Sequence, residues 1–177
     1  MQKVFMMYII GRSGSGKTTI ANTLETELRN AGLQHLQIID GDIIRMQFGD
    51  IFGYSYEERM KCNQVVRVVV QYLINNSVSV VLTQVGAHKE MRHKMKEQFR
   101  NNYIEVYVKC SYEECAKRDV KGYYKKQMEG KITNLNGVDG TFDIPTDSDI
   151  VIDSEKETVS EAVQKIITYL KEQEYGI

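Results

Sequence analysis

The segment from Gly11 to Thr18, which reads Gly-Arg-Ser-Gly-Ser-Gly-Lys-Thr, constrains this chain more than any other part of its sequence. It fits the pattern GxxxxGK[ST], in which a glycine-rich loop joins a strand to a helix. An apolar run over 4–10 precedes it, and a segment of helical periodicity over 17–31 follows it. Backbone N–H groups of such a loop converge on phosphate oxygens, and the helix presents the positive end of its dipole. The sequence therefore predicts a nucleotide triphosphate site.

Two side chains of this phosphate loop have predicted roles. Lys17 is expected to reach the β- and γ-phosphates of ATP, and Thr18 is expected to ligate Mg²⁺, the predicted cofactor. The full set of predicted phosphate-binding residues in and beside the loop is Gly11, Ser13, Gly14, Ser15, Gly16, Lys17, Thr18 and Thr19.

Short apolar runs alternate with segments of helical periodicity along the 177 residues. The strand-like runs cover 4–10, 36–40, 78–83, 103–108 and 150–153. This alternation favours a parallel sheet with helices on both faces. We predict a single α/β domain over 1–177, a P-loop NTPase-type three-layer αβα sandwich with a mainly parallel five-stranded sheet. Helices over 17–31 and 158–174 should be amphipathic, whereas the more apolar helix over 58–75 should be more deeply buried.

The charge balance limits the classes of partner. With 23 Lys and Arg against 24 Asp and Glu, the formal net charge is −1. This gives no general attraction to nucleic acid or to an anionic membrane. No apolar stretch approaches the roughly 18 residues of a membrane-spanning helix. The three cysteines, Cys62, Cys110 and Cys115, lack metal-type spacing and predict a reducing, cytoplasmic location.

The acidic residues expected nearest to the phosphate loop follow the second strand. The third strand runs into Thr83 and Gln84 without a carboxylate, whereas the second ends in Asp40-Gly-Asp42, with Arg45 one helical turn beyond. Ligands in such sheets lie outside the carboxyl ends of the strands. The arrangement favours a small-molecule kinase, with Asp42 as the candidate to accept the proton of the acceptor hydroxyl. Asp40 could instead hold the water shell of Mg²⁺, and the sequence leaves these assignments open.

A basic segment over 117–131 is predicted to form a lid over the site. It carries six basic and two acidic residues, for a net charge of +4, and Gly122 and Gly130 bracket its centre. Kinases of this type use a mobile basic cover that excludes water and stabilises the transferring phosphoryl group. Arg118 is the predicted ATP-binding residue of this lid. The glycine-containing segment 131–148 is predicted to be an ordered loop that covers the substrate.

Five motifs together resemble the adenylylsulfate kinase family over almost the whole chain. They are 11–18, 40–45, 52–55 followed by Arg59, 118–126, and 134–139 with Pro145. The resemblance implies transfer of the γ-phosphate of ATP to the 3′-hydroxyl of adenylyl sulfate, a small anionic nucleotide. It also implies a possible homodimer, because members of this family are often dimers.

The resemblance assigns roles on the acceptor side. It implies that Asp42 lies near the acceptor hydroxyl and that Arg45 and Arg59 bind the anionic part of the acceptor. Tyr54 and Leu135 occupy positions where members of the family tend to clamp the adenine between two phenylalanines. The predicted acceptor-binding residues are Asp40, Arg45, Tyr54, Arg59, Lys121 and Leu135.

The acceptor side also departs from the family pattern. Cys62, Gln64 and Val65 stand where the family usually has an asparagine and an arginine pair. The segment 85–88, Val-Gly-Ala-His, replaces an Ile-Ser-Pro element and is one residue shorter. Three alternatives follow: a kinase of another nucleoside diphosphate derivative, such as cytidine diphosphoramidate in capsule biosynthesis; a sugar-acid or shikimate-like kinase; or a nucleotide-binding regulatory protein without turnover.

Overall fold

A computed structural model describes residues 3–120, 122–130 and 142–177 of the chain. The strands are β1 (Met6–Ile10), β2 (Leu36–Asp40), β3 (Ser79–Gln84), β4 (Tyr103–Lys109) and β5 (Ile150–Asp153). The helices are α1 (Lys17–Asn30), α2 (Gly41–Gln47), α3 (Tyr56–Asn75), α4 (Lys89–Phe99), α5 (Tyr112–Arg118), α6 (Tyr123–Met128) and α7 (Val159–Glu172). All five predicted strands are present, so the predicted alternation is confirmed.

The sheet has the order β2-β3-β1-β4-β5, and every neighbouring pair is parallel. In the β1–β3 pair Ile10 lies opposite Gln84, and in the β2–β3 pair Asp40 lies opposite Thr83. The carboxyl ends of three adjacent strands therefore finish at one level of one edge. The phosphate loop leaves the central strand at that edge.

Helices cover both faces of the sheet. One face packs against α1 and α7, where Leu24 and Ile166 are buried. The other packs against α3 and α4, where Val70 and Met95 are buried. All residues of β1 are buried, as expected of a central strand covered on both sides. The predicted three-layer α/β fold is confirmed.

Helix α3 corrects one prediction, because it is not more deeply buried than the other helices. Its buried residues form a single stripe that includes Val66, Val70 and Ile74. On its outer face Val68 is 50% exposed and Tyr72 is 69% exposed. The helix belongs to an outer layer, so only residues spaced three or four apart reach the sheet. The apolar residues between them remain at the surface.

The two predicted covering segments differ in how much of them the structure describes. The predicted lid over 117–131 contains the end of α5 and the short helix α6. The predicted loop over 131–148 lies largely outside the described residues, and its described part, 142–148, contains no helix or strand. Within the described ranges, no helix has the length and apolarity needed to cross a membrane.

We predict that the same substitution at two positions of α3 has different effects on stability. Val70→Ala removes two buried methyl groups and should lower the free energy of unfolding by about 2 kcal/mol. Val68→Ala acts on the exposed face and should change it by less than about 0.5 kcal/mol. Urea unfolding followed by circular dichroism measures both values. Equal losses in the two variants would contradict the one-sided packing of α3.

Candidate active site

The phosphate loop depends on glycines where its backbone approaches neighbouring chain. Gly11 has φ 151° and Gly14 has φ 81°, both in the region that favours glycine. A Cβ at Gly11 would lie 2.4 Å from the carbonyl oxygen of Val108, and one at Gly14 would lie 3.1 Å from that of Cys115. The loop therefore packs on the end of β4 and on α5, and larger residues would force it away from them.

The Lys17 ammonium lies over the phosphate loop. Its Nζ donates hydrogen bonds to the carbonyl oxygens of Gly11, at 2.9 Å, and Arg12, at 2.8 Å. Ser15, a residue of the same loop, is fully buried. The positive charge of Lys17 and the start of α1 thus meet on the side of the loop where phosphates bind in this motif.

Asp40 joins the phosphate loop to the start of α2. One oxygen of its carboxylate accepts a hydrogen bond from the backbone N–H of Asp42 at 2.8 Å and so caps the helix. Its other oxygen lies 3.4 Å from the Thr18 hydroxyl. A hydroxyl and a carboxylate are hard oxygen ligands, and Mg²⁺ usually takes one or two protein oxygens together with water and phosphates. The residues present therefore fit Mg²⁺.

Two cavities adjoin at this edge of the sheet. After the roles that the sequence predicts for their lining residues, we call the larger, of about 580 Å³, the donor cavity and the smaller, of about 140 Å³, the acceptor cavity. The predicted residues that line the donor cavity are Ser13, Gly14, Gly16, Lys17, Thr18, Thr19, Asp40 and Asp42. The predicted residues that line the acceptor cavity are Ser13, Asp42, Arg45, Tyr54 and Arg59. Asp40, which was predicted to bind the acceptor, lines the larger of the two cavities and does not line the smaller one.

The acceptor cavity is smaller than the roughly 300–1,000 Å³ of ordinary ligand pockets, and an aromatic ring lies close to both of its arginines. The Tyr54 ring centroid is 5.3 Å from the Arg45 guanidinium carbon and 5.2 Å from that of Arg59. Arg45 also donates to the carbonyl oxygen of Gly53, and Arg59 donates to that of Tyr54 at 2.8 Å. The two arginines therefore hold the segment that carries the ring.

The electrostatics of this cavity favour an anion. Burial and the neighbouring Arg45 guanidinium lower the pKa of Arg59 to about 10. Arg59 still carries its charge at neutral pH, and it is only 8% exposed. Two adjacent guanidinium groups, one of them buried, form a site where an oxyanion relieves their mutual repulsion.

The lid helix α6 is attached directly to the phosphate loop. The buried Tyr124 hydroxyl donates to the carbonyl oxygen of Ser13 at 2.9 Å. The Asp119 carboxylate accepts from the backbone N–H groups of Tyr124, at 3.1 Å, and Lys125, at 3.0 Å. Asp119, which the sequence shows only as a negative charge within a basic segment, thus starts this helix. Tyr123 lines both cavities.

Of the predicted site residues beyond the phosphate loop, one lies away from both cavities and two lie outside the described residues. Arg118 does not line either cavity; its guanidinium donates to Glu114 at 2.9 Å and to the carbonyl oxygen of Ser154 at 3.0 Å. Lys121 and Leu135 lie outside the described residues. Their predicted roles stay predictions.

The sequence patterns did not predict two polar residues at or beside the acceptor cavity, Gln84 and Arg92. Arg92 of α4 is buried, and it donates to the carbonyl oxygen of Gly86 at 2.8 Å. The side chain of Gln84 lines both cavities. The sequence near Arg92 shows only a basic residue next to Met91, which belongs to the apolar stripe of α4. It does not predict the hydrogen-bond partners of Arg92.

The strand order, the phosphate loop after the central strand and the paired cavities define a P-loop kinase, a phosphotransferase that acts on an alcohol group. The chain belongs to the adenylylsulphate kinase family, whose family model matches residues 3–153.

Relatives match nearly the whole chain. An adenylyl-sulfate kinase of Staphylococcus epidermidis is 37% identical over 174 residues, which cover 98% of this chain and 87% of the relative. An adenylyl-sulfate kinase of Clostridium kluyveri is 32% identical over 169 residues, which cover 96% and 84%. The APS kinase CysC of Mycobacterium tuberculosis, solved in complex with AMPPNP and APS, has the same fold. The TM-score is 0.89 at 24% identity, with 97% of this chain and 99% of that chain covered.

We predict that the contact between lid and phosphate loop contributes to ATP binding. Tyr124→Phe leaves the Ser13 carbonyl without its hydroxyl donor, and the KM for ATP should rise about fivefold, the effect of roughly 1 kcal/mol. The matched control is Tyr112→Phe. The Tyr112 ring packs against Tyr124, with centroids 5.6 Å apart, and its hydroxyl makes no hydrogen bond among the described residues. Steady-state kinetics should show no change in the control, and equal effects would refute the assignment.

Proposed function

We propose that this protein transfers the γ-phosphate of ATP to the 3′-hydroxyl of a nucleotide-type acceptor, and that the acceptor is adenylyl sulfate. The observation that carries the proposal is the position of Asp42, which borders both cavities. It shares the donor cavity with Lys17 and Thr18, and the acceptor cavity with Arg45 and Arg59. A base at such a junction can reach a hydroxyl that attacks a phosphoryl group.

On the donor side, phosphoryl transfer requires alignment and neutralisation of charge. The amides of the phosphate loop and the Lys17 ammonium hold the phosphates, and Arg118 contributes to ATP binding. Thr18 would ligate Mg²⁺, and Asp40, whose carboxylate lies 3.4 Å from the Thr18 hydroxyl, would hold the water shell of the metal. A bound Mg²⁺ would supply positive charge that offsets the negative charge of the transferring phosphoryl group.

On the acceptor side, each group has a distinct role. Asp42 accepts the proton of the attacking hydroxyl. Arg45 and Arg59 bind the anionic group of the acceptor, and Tyr54 stacks on its base. The roles of Lys121 and Leu135 in acceptor binding, which the sequence predicts, are part of the proposal.

A second acceptor, cytidine diphosphoramidate, is favoured by one specific observation. The acceptor cavity measures about 140 Å³, and one wall is formed by Gln84, Val85 and Gly86, at the start of the short connection between β3 and α4. A pyrimidine is smaller than a purine and would require less displacement of Tyr54. The homodimer and the cytoplasmic location stay predictions.

A panel of acceptors tests the proposal. The purified protein is incubated with Mg-ATP and, in separate reactions, adenylyl sulfate, cytidine diphosphoramidate, gluconate and shikimate, and products are identified by mass spectrometry. We expect a 3′-phosphorylated product from adenylyl sulfate. Phosphorylation of cytidine diphosphoramidate alone would select the second acceptor. Tight ATP binding without any product would overturn the kinase proposal in favour of a regulatory protein.

We predict that substitutions of the two aspartates of the Asp-Gly-Asp turn affect different kinetic parameters. Asp42→Asn removes the proton acceptor and should lower kcat by about 10²- to 10⁴-fold, with the Kd for ATP nearly unchanged. Asp40→Asn acts on the metal and should instead raise the Mg²⁺ concentration that gives half-maximal activity. Mg²⁺ titrations of both variants make the comparison. If Asp42→Asn keeps its turnover, or if the two patterns are exchanged, the assignment of the base is wrong.

A further inference from the structure

Gln84, the last residue of β3, lies where the donor and acceptor cavities meet. Its paired residue on β1 is Ile10, the residue before the phosphate loop. A Cβ placed on Gly41 would lie 2.2 Å from the Gln84 Cγ and 2.5 Å from its Nε2. The Gln84 side chain therefore lies flat against the Asp-Gly-Asp turn, next to the backbone that carries Asp42.

Two hydrogen bonds from buried residues fix the side-chain amide of Gln84. The buried Tyr8 hydroxyl donates to its Oε1 at 2.9 Å, and the Asn63 Nδ2 donates to the same oxygen at 3.5 Å. Because Oε1 accepts both hydrogen bonds, the NH₂ group points away from the core. Its Nε2 donates to no group among the residues that the structure describes. An amide held in this way keeps its N–H donors on the side of Gly41 and of the two cavities.

The loop after Gln84 is fixed as well. The backbone N–H of Gly11 donates to the carbonyl oxygen of Val85 at 3.2 Å. Arg92 holds the carbonyl oxygens of Gly86 and Ala87. Gly86 has φ 59°, and a Cβ there would lie 2.6 Å from a methyl group of Ile10. Hydrogen bonds therefore fix both the side chain of Gln84 and the backbone of the loop that follows it.

We infer that Gln84 is a specificity-determining residue whose Nε2 donates a hydrogen bond to an oxyanion of the acceptor. An N–H donor selects a group that accepts, and the guanidinium groups of Arg45 and Arg59 line the same cavity. A sulfate or phosphate oxygen between these three groups would satisfy all of them. This inference rests on the proposed function and names one more contact of its acceptor site.

Kinetics of two Gln84 variants test the inference. Gln84→Leu removes the donor at similar size and should raise the KM for adenylyl sulfate at least about tenfold, with the KM for ATP changed less than about twofold. Gln84→Glu keeps an oxygen for Tyr8 and Asn63 but places a negative charge at the cavity, so its acceptor KM should rise further. Gln164→Leu and Gln164→Glu, on the exposed face of α7, are the matched controls and should behave as wild type.

Binding of a truncated ligand identifies the group that Gln84 contacts. Calorimetry on the ADP-loaded protein compares adenylyl sulfate with adenosine, which lacks the oxyanion. The Gln84→Leu variant should lose affinity for adenylyl sulfate but not for adenosine. Cytidine diphosphoramidate and cytidine replace this pair if the wild type phosphorylates the cytidine compound.

The outcomes separate the inference from the proposed function. A wild type that phosphorylates neither nucleotide overturns the proposed function and the inference with it. An active wild type whose Gln84→Leu variant keeps its acceptor KM overturns the inference alone. An increase in the KM for ATP only, or an equal loss of affinity for adenosine, would also overturn it, because the contact would then be to the donor or to the nucleoside.

Discussion

The parallel register of β1, β2 and β3 is the constraint on which the site depends. Because Ile10 lies opposite Gln84 and Asp40 lies opposite Thr83, three strands end at one level. The phosphate loop, the acidic turn and the amide of Gln84 therefore meet without any long insertion. A register shift of one residue would move a strand end by about 3.3 Å and turn its side chains to the opposite face.

The turn from Asp40 to Asp42 connects the two halves of the site. Asp40 caps α2 with one carboxylate oxygen and faces Thr18 with the other, while Asp42 borders both cavities. Glycine is required between them because a side chain at Gly41 would collide with Gln84. The helix cap, the metal-side carboxylate and the candidate base thus share one short backbone segment. Their relative positions are set by the fold and not by flexible side chains.

Local patterns in the sequence were sufficient for the fold and for the position of the phosphate loop after the central strand. Strands, the phosphate loop and the Asp-Gly-Asp turn each depend on residues within a few positions of one another. The burial of α3 was predicted wrongly because periodicity does not show that a helix lies in an outer layer. The contact between Tyr124 and Ser13 joins residues 111 positions apart, and that between Tyr8 and Gln84 joins residues 76 apart. Only the folded chain brings such pairs together.

The lowered pKa of Arg59 has a thermodynamic consequence for the acceptor cavity. Burial and Arg45 weaken the hold of Arg59 on its proton, so that its pKa falls to about 10. An anion beside the guanidinium would favour the charged form and raise this pKa again. Anion binding and proton binding at Arg59 are therefore linked equilibria, and each strengthens the other by the same factor. The repulsion between the Arg45 and Arg59 guanidinium groups is relieved when an anion binds beside them.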